Sequence, residues 1–284
     1  MSRQPDPLPV RRRTLWWIAS LALILVLAGA ALVWLFRPRL ERAFERPPTL
    51  PPPPPTSSGG SAGGVENLLY ATDFDDPQQT ADWELYNDGI IAAQIADGML
   101  VVSVNALEDK GAWSGLNYTF EDFVLEVDAR KLAGPDNNGI VVIFRLTDAA
   151  NYNRFEISSD GYYRLSMVRG GVSRIVSDYN SSSAILTGES TNHITLRAVG
   201  DAFTFAVNGQ PLALCVSADP AVQPLWDIAS GACLGGEVTD VWRNADLPRG
   251  RVGLGVQGFA VFDGENLTPA QATVGFDNVV ITRP

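Results

Sequence analysis

The chain has 284 residues, 46% of them hydrophobic, with 26 glycines, 19 prolines and a formal net charge of −11, which suits one large or two ordinary turn-rich β domains. The charge is divided: residues 1–46 carry eight arginines against three acids, leaving thirteen basic and 29 acidic residues in 47–284. An excess of 16 negative charges there repels phosphate backbones and anionic headgroups, so nucleic acid is excluded as the expected partner of the main domain.

Residues 1–13 form a basic N-terminal segment. From Thr14 to Phe36 there are 23 residues without a charge, and at about 1.5 Å per residue they cross a hydrocarbon core of roughly 30 Å. This stretch reads as a single transmembrane helix in contact with the lipid bilayer, with Trp16, Trp17 and Trp34 at its interfaces. A cleaved signal peptide is the other reading, but its apolar region would be shorter and no small-residue cleavage site follows Phe36. Four arginines precede the span and four follow it, so the positive-inside rule does not orient it. Residues 37–64 are a juxtamembrane segment and linker: Pro47–Pro55 holds seven prolines, a polyproline rod of roughly 28 Å at about 3.1 Å per residue, and Thr56–Gly64 is a flexible Gly/Ser swivel.

From Val65 to Pro284 the pattern is all-β: short alternating runs separated by turn residues, without an amphipathic helix. Strands are expected near 67–74, 82–86, 89–95, 98–104, 113–119, 122–131, 140–147, 152–158, 162–168, 172–178, 183–187, 192–199, 202–207, 210–216, 250–257 and 273–282, a density that implies one β-sandwich. The stretch Asn137–Met167 reads as three consecutive antiparallel strands, the last two joined by Ser158-Ser159-Asp160-Gly161. In this reading Val142, Phe144, Leu146, Phe155, Ile157, Tyr163, Leu165 and Met167 face the core. Because the side-chain period is two, Arg145, Arg154, Glu156, Tyr162 and Arg164 then share the outer face and form the candidate ligand-binding set, with Trp113 beside them.

Between Leu214 and Arg249 the alternation lapses for longer than an ordinary loop. This excursion holds the only two cysteines, Cys215 and Cys233, whose number and loop setting favour a disulfide over a metal site, buried free thiols being the alternative. An oxidised pair requires an oxidising compartment, which favours a cytoplasmic N-terminus and a C-terminal domain outside the cell membrane. Trp226 and Trp242 in the same loop are further candidates for stacking on a ligand.

The runs Asp122–Met167, Asn192–Gly209, Gly250–Gly255 and Phe276–Val280 resemble the concanavalin A-like lectin/glucanase superfamily. The similarity is closest to laminin-G-like, family 16 glycoside hydrolase-like and keto-disaccharide hydrolase-like domains of exported bacterial proteins. It implies a jelly-roll sandwich of two antiparallel sheets, with ligands taken on the concave sheet or its rim loops. Retaining hydrolases of this kind place paired carboxylates along one strand about 5–5.5 Å apart. The matching strand here reads Glu156-Ile157-Ser158-Ser159-Asp160, so only Glu156 is in place as a weak catalytic candidate. The resemblance also implies a structural calcium where first and last strands meet, with Asp75 and Asp277 as ligands and Asp73 and Asp76 close by; local Asx turns are the competing explanation. The only histidine, His193, reads as an ordinary surface residue.

These features lead to a membrane-anchored module that binds a carbohydrate or cell-envelope polymer without catalysis. A sugar-modifying enzyme with a degenerate catalytic strand and a structural subunit of a membrane complex are the alternatives. The placement of the 215–249 loop against the arginine-bearing face decides between a binding groove and a bare scaffold.

Overall fold

The computed structural model describes residues 67–284 apart from Ile228 and Asp263. The basic segment, the expected membrane span 14–36 and the linker lie outside the described residues; among the described residues no helix is long and apolar enough to cross a membrane. The described chain is all-β apart from one 3-10 turn at Pro77–Asp82.

Two antiparallel sheets carry the fold. The larger runs, in order of neighbours, Gln210–Pro211, Ala202–Val207, Asn192–Val199, Phe123–Ala133, Ala270–Thr282, Met99–Ala106, Ile91–Ala96 and Tyr86–Asn87, with Leu68–Thr72 also paired to the last long strand. The smaller runs Val172–Ser181, Tyr162–Arg169, Asn151–Ser158, Gly139–Asp148, Arg251–Gly258 and Lys110–Gly115. Alternate residues from each sheet meet in one core: Leu100, Val102, Leu125, Val127, Leu196 and Phe276 from the first, and Ile140, Val142, Phe155, Ile157, Leu165 and Leu254 from the second. Period-two alternation in the sequence therefore becomes two inner faces. Aromatic rings fill the space between them, Phe155 stacking on Phe205 at 4.6 Å and Phe144 meeting Phe203 at 5.2 Å.

The three expected central strands are consecutive neighbours in the smaller sheet. Gly161 takes φ 95° in the turn between the last two, a conformation open to glycine and strained for other residues. One expectation fails at Arg145, which has φ 54° and breaks the pairing register between Phe144 and Asp148. That single left-handed residue reverses the alternation beyond it. Leu146 turns outward to join Val141 and Ile143, while Arg145 is fully buried. Its Nη1 donates to the carbonyls of Phe120 (3.1 Å) and Glu121, and its Nη2 to that of Gly200 (3.2 Å). The guanidinium also lies 5.7 Å and 5.6 Å from the ring centres of Phe123 and Phe203. Burial lowers its pKa, and Asp122 and Glu121 partly offset that. Gly250 is required here because a Cβ would come within 2.3 Å of the Arg145 carbonyl carbon. Arg145 is thus a strut tying the Phe120–Glu121 and Gly200 turns together, and it leaves the candidate ligand set.

The expected strand at 183–187 is also absent. There the backbone of Leu186 bonds the Asn192 side chain, its N–H to Oδ1 at 2.8 Å and its carbonyl from Nδ2 at 2.9 Å. An amide side chain supplies what a neighbouring strand would have supplied. Expected strand 210–216 is two pieces, Gln210–Pro211 and Leu214–Val216, in different sheets.

Candidate functional site

The outer face of the smaller sheet has two parts. Cross-strand pairing sets Arg154 between Ile143 and Ser166, and Glu156 between Val141 and Arg164. At one end Val141, Ile143 and Leu146 form an apolar floor on which Trp113 and Tyr152 pack, their ring centres 5.4 Å apart. Trp113 belongs to the edge strand Lys110–Gly115 and reaches Tyr152 across Gly253 and Gly255. A Cβ on Gly255 would stand 2.7 Å from that of Trp113, so the glycine makes room for the indole. Both aromatics remain half-exposed, forming a shelf.

At the other end Glu156 is 1% exposed and is held by three partners. Its Oε2 pairs with Arg154 and its Oε1 with Arg164, while the Tyr179 hydroxyl donates to Oε1 at 2.8 Å. Arg154 also donates to Gln257 Oε1 at 3.1 Å, and the Arg164 guanidinium lies 4.3 Å above the Tyr179 ring. Burial, followed by the adjacent Glu156 carboxylate, pushes the Tyr179 hydroxyl pKa up, which keeps it a donor at neutral pH. Glu156 is therefore committed to orienting two arginines. Asp160, the other acid of the strand, accepts from Ser158 Oγ within its turn. The paired-carboxylate geometry of a retaining hydrolase is not assembled around Glu156 by these contacts.

The 215–249 excursion is stapled by the Cys215–Cys233 disulfide, with Cα atoms 5.4 Å apart. It lies along the free edge strand Val172–Ser181, where the Cys215 N–H donates to Ser177 Oγ at 3.0 Å. Its far end is tied down by Arg169, whose guanidinium bonds the Tyr152 carbonyl (2.9 Å), Asn153 Oδ1 (2.8 Å), Asn244 Oδ1 (3.1 Å) and Asp246 (3.2 Å). With both ends anchored, its tip at Pro220–Gln223 projects over the outer face. A pocket of about 440 Å³ forms between that tip and Arg154, Arg164, Ser166, Ser173 and Arg174. A second cavity of about 820 Å³ opens on the other side of the tip, against Met167, Val176 and Trp242, and Arg174 lines both.

Of the expected ligand set, Arg154 and Arg164 line the first pocket, Glu156 lies beneath them, and Trp113 stands on the shelf farther along the same face. Tyr162 is exposed on the strand bearing Arg164 but does not line the pocket. Trp242 is buried against Phe203 and Phe144, and Trp226 is also buried, so neither is a free stacking platform. Arg174, Tyr179, Tyr152 and Gln257 escaped the sequence reading. Two register shifts between Ile175 and Asn180 hide the face that Tyr179 takes, glycines interrupt the alternation around Gln257, and Arg174, ahead of those shifts, pairs with Met167 and leaves its strand on the side of Met167.

Where first and last strands meet, Asp277 feels Asp128, Asp73 and Asp75, and its pKa is raised, chiefly by burial and then by these charges. The acids spend their oxygens locally: Asp73 Oδ1 accepts the Asp75 N–H (3.2 Å), Asp277 Oδ1 accepts the Asn278 N–H (2.6 Å), and Asp128 accepts from Asn278 Nδ2 (2.9 Å) and bonds His193 Nδ1 (2.8 Å). Among the described residues no group of three or more His, Cys, Asp or Glu side chains is placed to hold a metal ion. Asp75 and Asp277 are thus not joined by a third acid around one point among the described residues.

No family model matches the chain, and no curated protein matches it. Similar solved structures include the carbohydrate-binding module CBM66 from Bacillus subtilis, at 16% identity and TM-score 0.45 over 71% of this chain and 95% of that one. A Bacillus subtilis protein of unknown function with a galectin-like fold gives 14% identity and TM-score 0.49 over 76% and 96%. A Bacillus licheniformis β-glucanase gives 11% and 0.46 over 76% and 98%. What those proteins bind or cleave is theirs; the fold of this chain rests on its own strand pairings.

Proposed function

We propose that the chain is a membrane-anchored, extracytoplasmic glycan-binding module with a concanavalin A-like jelly-roll domain, and that it takes its ligand without catalysis on the outer face of the smaller sheet. The observation that carries this reading is the loop tip Pro220–Gln223 overhanging Arg154 and Arg164, which turns a strand surface into a walled pocket. The Trp113–Tyr152 shelf continues the same face and offers the flat apolar surface on which a sugar ring stacks. The orientation of Arg154 and Arg164 by buried Glu156 supports binding, because donors held in place before the ligand arrives lose less freedom on contact. The disulfide supports an oxidising compartment for the domain.

Screening the purified full-length chain on a glycan array tests the reading. Wild type is expected to retain a related group of glycans, and Val222→Trp, which fills the pocket, and Trp113→Ala, which removes the shelf, are each expected to lose that signal. Absence of any retained glycan, or retention unchanged in both variants, overturns the assignment.

A further inference from the structure

The cavity of about 820 Å³ opens on the side of the smaller sheet turned away from Arg154 and Arg164. One wall is the sheet itself: Arg174 pairs with Met167, so its side chain leaves on the side of Met167, which packs against the core between the sheets. Another wall is the ribbon of Leu214–Val216 and Glu237–Thr239, in which Val216 pairs with Glu237. Val216, Glu237 and Thr239 line the cavity, while Cys215 and Val238, one residue out of step, do not. Period two therefore turns one face of the ribbon toward the cavity.

The chemistry of these walls selects the ligand. The lining is aliphatic, with Met167, Val176, Val216 and Val241, and its one aromatic ring, Trp242, is 4% exposed because Phe144 and Phe203 pack against it. A sugar ring finds no face to stack on here. Arg174, half-buried, and Glu237, exposed, have no hydrogen-bond or ion-pair partner among the described residues. Asp219, whose Oδ1 accepts the Ala221 N–H at 2.8 Å, adds a second carboxylate, and Arg243 is paired with Asp201. A purely anionic ligand thus meets two carboxylates and a purely cationic one meets Arg174, whereas a ligand with one charge of each sign suits both walls. The backbone adds a further constraint. Glu237–Thr239 pairs with Leu214–Val216 and with no other strand among the described residues, so its other edge offers the main-chain donors and acceptors that an extended peptide takes up.

We infer that this cavity is a second binding site, for a short aliphatic peptide carrying one carboxylate and one ammonium group. The carboxylate meets Arg174, the ammonium meets Glu237, and the main chain runs along Glu237–Thr239. The site is separate from the pocket on the outer face, and the inference does not depend on the glycan-binding reading. NMR titration of the isotope-labelled full-length chain with the free tripeptide Ala-Val-Ala, its C-terminal amide and its N-acetyl form tests it. The free tripeptide is expected to shift the amides of Val176, Gly236 and Thr239. Amidation removes the partner of a half-buried guanidinium and is expected to cost about tenfold in affinity. Acetylation removes the partner of an exposed carboxylate and is expected to cost about threefold. Arg174→Gln is expected to abolish the first difference and keep the second, and Glu237→Gln the reverse. Neither side chain has a partner to abandon, so both variants keep the fold, and an amide spectrum unchanged away from the cavity verifies that. Absence of shifts at these amides, equal affinity for the three forms, or differences that survive both substitutions overturn the site.

Discussion

Arg145 and Arg154 lie on neighbouring strands of one sheet, yet Arg145 is fully buried and bonds three backbone carbonyls, whereas Arg154 bonds side chains at the edge of an open pocket. The difference comes from one backbone angle. Arg145 adopts φ 54° and swings through the sheet margin toward Phe123 and Phe203, while Arg154 keeps the strand alternation and stays outside. A cation on a β-strand is thus structural or available to a ligand according to the local register, and the partners that surround it follow from that choice. Three carbonyls from two turns hold Arg145 for the sake of the fold. Glu156, Gln257 and Tyr179 hold Arg154 and Arg164 while leaving them beside the loop tip.

Replacing each arginine by methionine is the sharpest way to break this comparison. Arg145→Met leaves three carbonyls without their charged donor and is expected to cost about 4 kcal/mol in urea unfolding. Arg154→Met leaves Glu156 still paired with Arg164 and is expected to cost about 1–2 kcal/mol. Equal losses would mean that the two arginines are not differently employed. Removing the disulfide with Cys215→Ser and Cys233→Ser comes next, at about 3 kcal/mol from the closed loop. The released tip is expected to weaken ligand binding as well, which separates the pocket from the strut because Arg145 has no contact with the tip in the described network.

The smallest effect concerns Asp277. Its folded pKa is raised, so the folded state holds its proton more tightly than the unfolded chain does. The resulting penalty is absent below the ordinary carboxylate pKa and appears as pH rises through the raised value. Asp277→Asn is expected to stabilise the protein at neutral pH by a few tenths of a kcal/mol and to lose that gain in acid.

The fold was readable where alternation and turns agreed. Asn192–Val199 and Ala202–Val207 appear at the expected bounds, and the three strands from Gly139 to Arg169 pair consecutively as their hairpin signals imply. It was unreadable where a side chain replaced a strand, as Asn192 does for Leu186, or where parity reversed without a glycine to announce it, as at Arg145. The site divides in the same way. Arg154, Glu156 and Arg164 follow from period two and one hairpin, and the pairing of Cys215 with Cys233 agrees with their loop setting. Tyr179 and the tip at Pro220–Gln223 depend on register shifts and on the path of an irregular loop, which no local pattern encodes.

The most direct measurement is a crystal structure of the chain soaked with a glycan retained on the array. Sugar density between Val222 and Arg164, extending toward Trp113, is the predicted result. Density on the larger sheet, with the space beneath Pro220–Gln223 empty, would contradict the account.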